Sequence, residues 1–140
     1  MREIRAILKD VEISILSMKE AGLDLEIEED GATFEENAII KARAVAKALA
    51  EQGKEQECVV MADDSGLEID CLNGEPGIYS ARYLGEETPF EVKSRDFLRR
   101  MENVPEQKRG ARFVCAIAAV FPGGETVTAN GVVEGRIGYE

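Results

Sequence analysis

Histidine and tryptophan are both absent from the 140 residues of this chain. Without histidine, the Ser-His-Asp and Cys-His nucleophile schemes and the usual zinc sites are excluded for this sequence. A general base here must therefore be a carboxylate, a lysine or a metal-bound hydroxide.

Cysteine is scarce, and long apolar runs are lacking. The three cysteines, Cys58, Cys71 and Cys115, are far apart in apolar or strand-like contexts, and no C-x-x-C pair occurs. This pattern predicts reduced thiols in the core. No apolar run approaches the roughly 20 residues of a membrane span, and no signal-peptide pattern is seen, so we expect a cytoplasmic protein without membrane contact.

Basic residues are also few, since 17 Lys and Arg face 28 Asp and Glu for a net charge of −11. That charge argues against nucleic-acid binding, which depends on clustered Lys and Arg. A small phosphate ligand would need local cations and a divalent metal to overcome the repulsive overall field. The composition, 44% apolar and 32% charged, is that of an ordinary globular protein, and the length predicts a single domain over residues 1–140.

Two adjacent carboxylates, Asp63 and Asp64, form the most informative local pattern. An apolar run ends at Met61, and apolar residues resume with period two at Leu67, so we predict a turn between two strands at residues 63–66. Chemistry in α/β proteins is often found at such a strand end. Neighbouring carboxylates suit a Mg²⁺ ion, which binds hard oxygen ligands and leaves room for water and phosphates. The alternative is a solvated turn in which aspartate accepts local hydrogen bonds.

A capping box predicts the start of the longest helix. The Thr33 hydroxyl is expected to accept from the Glu36 amide, while the Glu36 carboxylate reaches back to the Thr33 amide. Gly53 is the predicted stop. Asn37 and Lys41 are four residues apart, so they share another face of this helix, about one turn apart. They are either a functional pair or simply two polar residues on the surface. The predicted buried stripe consists of Phe34, Ala38, Ala42, Val45 and Leu49.

The remaining elements are predicted from periodicity and from turn and capping signals. They are a helix over 2–9, a strand over 11–16, a strand over 67–72 ending at Asn73-Gly74, a helix over 89–101 with Thr88 as its N-cap, and a hairpin of strands 111–121 and 126–133 joined by Pro122-Gly123-Gly124.

Three longer motifs follow one another along the chain. They are Thr33-Phe34-Glu35-Glu36-Asn37-Ala38 with Lys41-Ala42, then Ala62-Asp63-Asp64-Ser65-Gly66-Leu67, then Gly77-Ile78-Tyr79-Ser80-Ala81-Arg82-Tyr83. In this order and spacing they closely resemble the inosine triphosphate pyrophosphatase family, whose members hydrolyse nonstandard purine nucleoside triphosphates. The similarity covers nearly the whole chain, because it continues through Val104-Pro105, Ala111-Arg112-Phe113 and Glu134-Gly135.

The resemblance implies a fold and an activity. The fold is α/β, with a mixed, twisted central sheet that includes a long hairpin and is flanked by helices. The activity is Mg²⁺-dependent cleavage of ITP, dITP or XTP to the monophosphate and pyrophosphate, carried out by a homodimer.

The resemblance also implies roles for individual residues. Asp64 is similar to the carboxylate that activates water or binds the metal, and Asp63 supports it. Glu29 matches a metal-binding glutamate. The residues implied to contact the nucleotide are Lys41, which would touch the triphosphate, and Asn37, Ser65, Gly66 and Arg82.

Two family features are not found in these residues. A T-x-N-x-x-K phosphate loop would be expected before Arg2, and a G-F-G-Y-D-P segment with later Lys and Ser-His-Arg elements after Glu140. The resemblance therefore predicts a domain truncated at both ends. The alternatives to an enzyme are a catalytically inactive truncated paralogue, acting as a nucleotide-binding or dimerisation module, and a structural domain whose acidic turn is solvated.

Overall fold

A computed structural model describes residues 1–56 and 58–140. Three short 3₁₀ turns lie at Asp70–Leu72, Gly77–Tyr79 and Glu106–Lys108. None of the helices in this described part of the chain has the length and hydropathy that a membrane span requires. The helices and strands are, in chain order, α1 (Arg2–Ile7), α2 (Phe34–Glu51), β1 (Val60–Ile69), α3 (Phe90–Arg100), β2 (Gly110–Val120) and β3 (Thr126–Arg136).

The three strands of the described part of the chain form one sheet in the order β1-β2-β3, and both pairs are antiparallel. β2 is central because its run of small and β-branched apolar residues suits a strand paired on both edges. Gly123 and Gly124, with φ of +93° and +92°, allow the chain to reverse between β2 and β3. The α/β class and the long hairpin predicted from the sequence are confirmed.

The predicted turn at residues 63–66 is wrong. β1 runs unbroken from Val60 to Ile69, and each of its residues is in register with a residue of β2, including Asp64 opposite Ala116. Pairing with the apolar β2 outweighs the weak strand propensity of Asp, Ser and Gly. The strand predicted over 67–72 is therefore the second half of β1, and it gives way at Asp70 to a 3₁₀ turn.

The predicted strand over 11–16 is also wrong. This segment forms no ladder with the described strands, and its apolar residues Val11, Ile13 and Leu16 are 50%, 56% and 59% exposed. An alternating pattern makes a strand only where a neighbouring strand accepts its hydrogen bonds. The preceding helix, α1, ends at Ile7, and its residues are exposed or half-buried.

The predicted α2 is confirmed with its cap and its apolar stripe. The Thr33 Oγ1 accepts a hydrogen bond from the Glu36 amide at 3.1 Å, whereas the Glu36 carboxylate accepts from the Ala32 amide at 2.6 Å and not from Thr33. The helix ends before Gly53, whose φ of +69° lies in the left-handed region. The buried cluster between α2 and the sheet comprises Leu23, Phe34, Ala38, Ala42, Leu49, Val60, Ala116, Ala118 and Val120, with Val45 packed against it.

A second apolar cluster lies beneath α3. Its buried residues are Ile69, Phe97, Met101 and Ala111. The predicted N-cap of this helix is wrong: Thr88 Oγ1 donates to the Leu84 carbonyl at 2.5 Å, so its hydroxyl is engaged in the preceding turn. Pro89 occupies the cap position instead.

The three cysteines are free thiols, as predicted. Cys58, Cys71 and Cys115 are half-buried and not fully enclosed in the core.

Candidate active site

The middle of β1 presents Asp64 to α2. Side chains alternate along a strand, and Asp64 points to the face that α2 covers, where its side chain is 12% exposed. One oxygen, Oδ1, lies 3.4 Å from Lys41 Nζ. The other, Oδ2, is buried and has no hydrogen-bond partner among the described residues. A buried carboxylate oxygen is costly to leave unpaired, so this atom is suited to bind a further group.

Lys41 joins Asp64 to a second carboxylate. Its Nζ lies 3.1 Å from Glu29 Oε1, and the Lys41 and Glu29 side chains are 22% and 30% exposed. Partial burial shields this cluster from solvent, which strengthens its electrostatic interactions relative to those of an open surface pair. One ammonium faces two carboxylates, so the local charge is negative and favours an added cation.

The segment that carries Glu29 is held against the first turn of α2. The Gly31 amide donates to Asn37 Oδ1 at 2.8 Å, and the Ala32 amide donates to Glu36 Oε2 at 2.6 Å. Two consecutive amides therefore contact two consecutive side chains of the helix. These contacts explain how an irregular segment places Glu29 beside Lys41.

Arg82 also contacts the segment that carries Glu29. Its Nη2 donates to the Glu29 carbonyl at 3.4 Å, and its guanidinium lies over the Tyr79 ring, 5.5 Å from the centroid. Arg82 and Tyr79 are both exposed, so these groups lie on the rim of the cluster where a ligand could reach them.

Gly66 lies where β1 meets the 3₁₀ turn at Gly77–Tyr79. A Cβ at Gly66 would be 2.5 Å from the Gly77 carbonyl oxygen and 2.5 Å from Ser80 Oγ. Ser80 Oγ also accepts from the Leu67 amide at 2.9 Å and donates to the Gly77 carbonyl at 2.6 Å. The lack of a side chain at Gly66 thus lets the turn at Gly77–Tyr79 approach β1 closely, and the Ser80 hydroxyl forms hydrogen bonds to both.

Asp63 and Ser65 lie outside the cluster. Both are exposed on the face of the sheet opposite α2, and Ser65 Oγ donates to Asp63 Oδ2 at 3.3 Å. Asn37, which the resemblance implied to contact the nucleotide and whose alternative was a surface polar residue, is fully buried. Of the residues singled out from the sequence, the structure brings together Asp64, Lys41 and Glu29, with Asn37, Gly66 and Arg82 around them.

Two supporting residues, Glu36 and Ser80, were not among the site residues expected from the sequence. Glu36 was assigned to the capping box, and otherwise Glu36 and Ser80 entered only as parts of motifs. A signal for the burial of Asn37 was present, because position 37 follows Phe34 by three and precedes Ala38, which places it on the apolar stripe.

Comparison with known proteins finds one family over the whole chain. The model of the Ham1 family matches residues 1–140. A dITP/XTP pyrophosphatase of Clostridium perfringens is 49% identical over 137 residues, which cover 98% of this chain and 67% of that relative. A dITP/XTP pyrophosphatase of Bacillus subtilis is 46% identical over 140 residues, which cover 100% of this chain and 67% of the relative.

A solved structure shares the same fold. The Staphylococcus aureus Ham1 protein superposes with a TM-score of 0.82 at 42% identity, over 99% of this chain and 66% of that one. The chain therefore spans about two thirds of the length of the relatives it matches.

Proposed function

The chain belongs to the Ham1 family, and from that premise we propose that it hydrolyses nonstandard purine nucleoside triphosphates such as dITP, XTP and ITP to the monophosphate and pyrophosphate. The relatives named dITP/XTP pyrophosphatase support this proposal, and they agree with the activity that the sequence resemblance implied. The observation in this chain that carries it is the cluster of Asp64, Lys41 and Glu29, in which one carboxylate oxygen is buried and has no hydrogen-bond partner within residues 1–56 and 58–140.

Asp64 is the proposed general base. Water is a poor nucleophile at neutral pH, and a positioned carboxylate accelerates its attack by accepting a proton. Oδ1 is held by Lys41, so Oδ2 is the atom free to take that proton. Attack by the activated water breaks the bond between the α and β phosphates, and pyrophosphate leaves with the bridging oxygen.

Lys41 is the proposed contact for the triphosphate. An ammonium has three hydrogens, and two of them can face Glu29 and Asp64. The third is available to a phosphate oxygen, where a positive charge stabilises the negative charge that develops during cleavage.

We propose that Glu29 and Asp64 hold a Mg²⁺ ion together with phosphate oxygens of the substrate. The donors fit, because Mg²⁺ is commonly bound by one or two protein carboxylates and by substrate phosphates. Asp64 Oδ1 accepts from Lys41 and has a second lone pair for the ion, so Oδ2 stays available as the base. Within residues 1–56 and 58–140, no three His, Cys, Asp or Glu side chains form a metal-binding group by themselves, so the substrate would complete the coordination. When bound, the ion would neutralise phosphate charge and make a nearby water more acidic.

Two further expectations stay proposals. A homodimer is supported by the sheet face opposite α2, where Met61, Phe113, Val127 and Val133 are 44%, 62%, 47% and 70% exposed. Sedimentation at several protein concentrations would test it.

The cytoplasmic location stays a prediction from the sequence. The alternative of a non-enzymatic module has no separate observation in its favour.

The proposed activity is tested by pyrophosphate release from dITP, XTP and ITP, with ATP and dGTP as discriminating substrates. We expect turnover that is selective for the nonstandard nucleotides and is abolished by a metal chelator. Asp64→Asn should lower kcat by roughly 10² to 10⁴, the usual contribution of a positioned base. Asp63→Asn is the matched comparison, because its carboxylate lies on the other face of the sheet, and we expect it to change kcat only a few-fold. Equal losses in the two variants would remove Asp64 from the proposed role.

A further inference from the structure

We infer that Asn37 is a positioning residue, which holds the segment bearing Glu29 in register with Lys41 and Asp64 and does not contact the nucleotide. The inference rests on the proposed function and deepens it. It concerns how the metal-binding and phosphate-binding groups are held together, and it assigns Asn37 a different role from the nucleotide contact implied by the sequence resemblance.

Burial separates Asn37 from any ligand that enters from solvent. Its exposed fraction is 0%, next to the equally buried Ala38. Its side-chain oxygen is already used, because Oδ1 accepts from the Gly31 amide at 2.8 Å. The partner of Asn37 is therefore the chain segment that leads into α2.

The contact between this segment and α2 is unusually close. A Cβ at Gly31 would lie 2.6 Å from Asn37 Oδ1 and 2.8 Å from Glu36 Cβ. Glycine alone allows the backbone to come this near the helix. Gly31 and Asn37 thus form a pair, in which one residue permits the approach and the other binds the amide that approaches.

The hydrogen bond closes a small loop of contacts. Asn37 and Lys41 are one turn apart on α2, about 6 Å along the helix axis. Glu29 lies two residues before Gly31 in the chain, and its Oε1 is 3.1 Å from Lys41 Nζ. The Asn37 bond to Gly31 therefore sets where the Glu29 carboxylate meets Lys41 and, through it, Asp64. Arg82 contacts the backbone of Glu29 itself, at a longer distance of 3.4 Å.

Asn37 occupies this position although its side-chain amide nitrogen lacks a partner in the described part of the chain. Its Nδ2 is buried without a hydrogen-bond partner among the described residues. Buried polar groups are nearly always paired, and an apolar side chain at this stripe position would avoid the unpaired donor. The acceptor Oδ1 is what an apolar residue could not supply.

Amide hydrogen exchange followed by NMR tests the contact directly. In Asn37→Ala, exchange at the Gly31 amide should accelerate at least about tenfold, since its acceptor is lost. Asn37→Asp keeps an acceptor oxygen and should restore most of the protection. Asn130→Ala is the matched control, because Asn130 Nδ2 donates to Glu35 Oε2 at 2.9 Å, also on the first turn of α2, and it should leave Gly31 unchanged. Unchanged exchange in Asn37→Ala overturns the inference.

A double-mutant cycle with Glu29→Gln tests whether Asn37 acts through Glu29. Asn37→Ala should lower kcat/KM for dITP by about 10- to 100-fold, as loss of a supporting contact to a metal ligand commonly does. It should also raise the Mg²⁺ concentration for half-maximal rate. In the Glu29→Gln background the same change should have little further effect. Additive losses, or a rise in KM with unchanged Mg²⁺ dependence, would instead show direct substrate contact and overturn the inference.

A second variant guards against an Asn37→Ala protein that does not fold. Gly31→Ala disturbs the same contact from the segment side with Asn37 intact, and it should reproduce the same kinetic pattern. Failure of the proposed function is visible separately, as absent pyrophosphate release by the wild-type chain. Wild-type turnover together with Gly31→Ala kinetics equal to the wild type overturns the inference alone.

Discussion

Asp63 and Asp64 are neighbours in the chain with the same side chain and different surroundings. Asp64 is shielded between β1 and α2 and contacts Lys41, whereas Asp63 lies exposed and contacts Ser65. At the scale of single residues, the orientation that the strand imposes separates two groups that are chemically identical. The same scale explains Gly66, where the relevant property is the absence of a side chain.

Gly66→Ala should destabilise the protein by about 1–3 kcal/mol, the usual penalty for forcing a methyl group into a packed site. The new Cβ would lie 2.5 Å from the Gly77 oxygen and 2.8 Å from the Phe34 ring. Urea unfolding followed by circular dichroism measures the change. Gly131→Ala in β3 is the control, because its Cβ would point into open space. Equal stability of the two variants would contradict the packing argument.

At the scale of elements, α2 organises the candidate site. Its first turn holds the Glu29 segment through Glu36 and Asn37, its next turn supplies Lys41, and its apolar stripe packs on the sheet. The helix start is therefore expected to matter for stability before it matters for chemistry.

Thr33→Ala should lower the free energy of unfolding by about 1 kcal/mol, the typical loss of a helix N-cap. The Thr33 hydroxyl accepts from the Glu36 amide and is explained by that contact alone. Denaturant unfolding gives the stability, and dITP turnover at a temperature where both proteins are folded gives the activity. A loss of turnover much larger than the loss of stability would place Thr33 in the site.

α3 provides a prediction for acid conditions. The Tyr83 hydroxyl donates to Asp96 Oδ2 at 2.6 Å, and this bond, aided by Arg99, holds the pKa of Asp96 below its ordinary value of 3.8. A carboxyl whose pKa is lower in the folded state stabilises the fold above its unfolded value, and that stabilisation disappears as the pH falls through the folded value.

Tyr83→Phe should therefore cost about 1–3 kcal/mol at neutral pH, because the hydroxyl also accepts from Arg100 Nη1 at 2.9 Å and two hydrogen bonds are lost. The share that comes from Asp96 should decrease progressively below pH 3.8. The ring stacked on Phe97 at 4.5 Å is preserved in this variant. Urea unfolding of both proteins between pH 7 and pH 2.5 measures the difference. A difference that stays constant over this range would assign the loss to packing or to the Arg100 contact, and not to Asp96.

At the scale of the whole molecule, Arg109 connects distant parts of the chain. Its buried guanidinium donates to the carbonyls of Met101 and Val104 beyond α3 and to those of Ile137 and Gly138 beyond β3. Backbone carbonyls thus bind a cation that is 2% exposed.

Arg109→Leu should lower the free energy of unfolding by about 3 kcal/mol. The variant loses charge-assisted hydrogen bonds worth about 1.5–3 kcal/mol each. Part of this loss is offset, because the leucine protein no longer has to remove a charged guanidinium from water when it folds. Arg136→Leu is the control, since Arg136 forms an exposed ion pair with Glu106, and we expect a change below about 1 kcal/mol. Thermal unfolding of both variants ranks them, and an Arg109 effect no larger than that of Arg136 would contradict the connecting role.

The sequence by itself determined the features that depend on neighbours in the chain. The Thr33 cap and glycine stop of α2, its apolar stripe and the β2–β3 hairpin follow from interactions within a few residues, and the structure confirms them. The reciprocal half of the capping box is not formed, because the Glu36 carboxylate accepts from Ala32 and not from Thr33. The order of the three motifs likewise indicated the family. The strand predicted over 11–16 was wrong because an alternation of apolar and polar residues does not by itself provide a neighbouring strand to accept the backbone hydrogen bonds.

Only the tertiary structure decided how β1 continues through Asp63 and Asp64, which of the two faces α2, and that Asn37 is buried. It also decided that Glu29, Lys41 and Asp64 meet. The physical reason is that each outcome depends on contacts between residues far apart in the chain. A strand is completed by its neighbour's backbone, and a charged cluster by side chains that a helix and a sheet bring to one place.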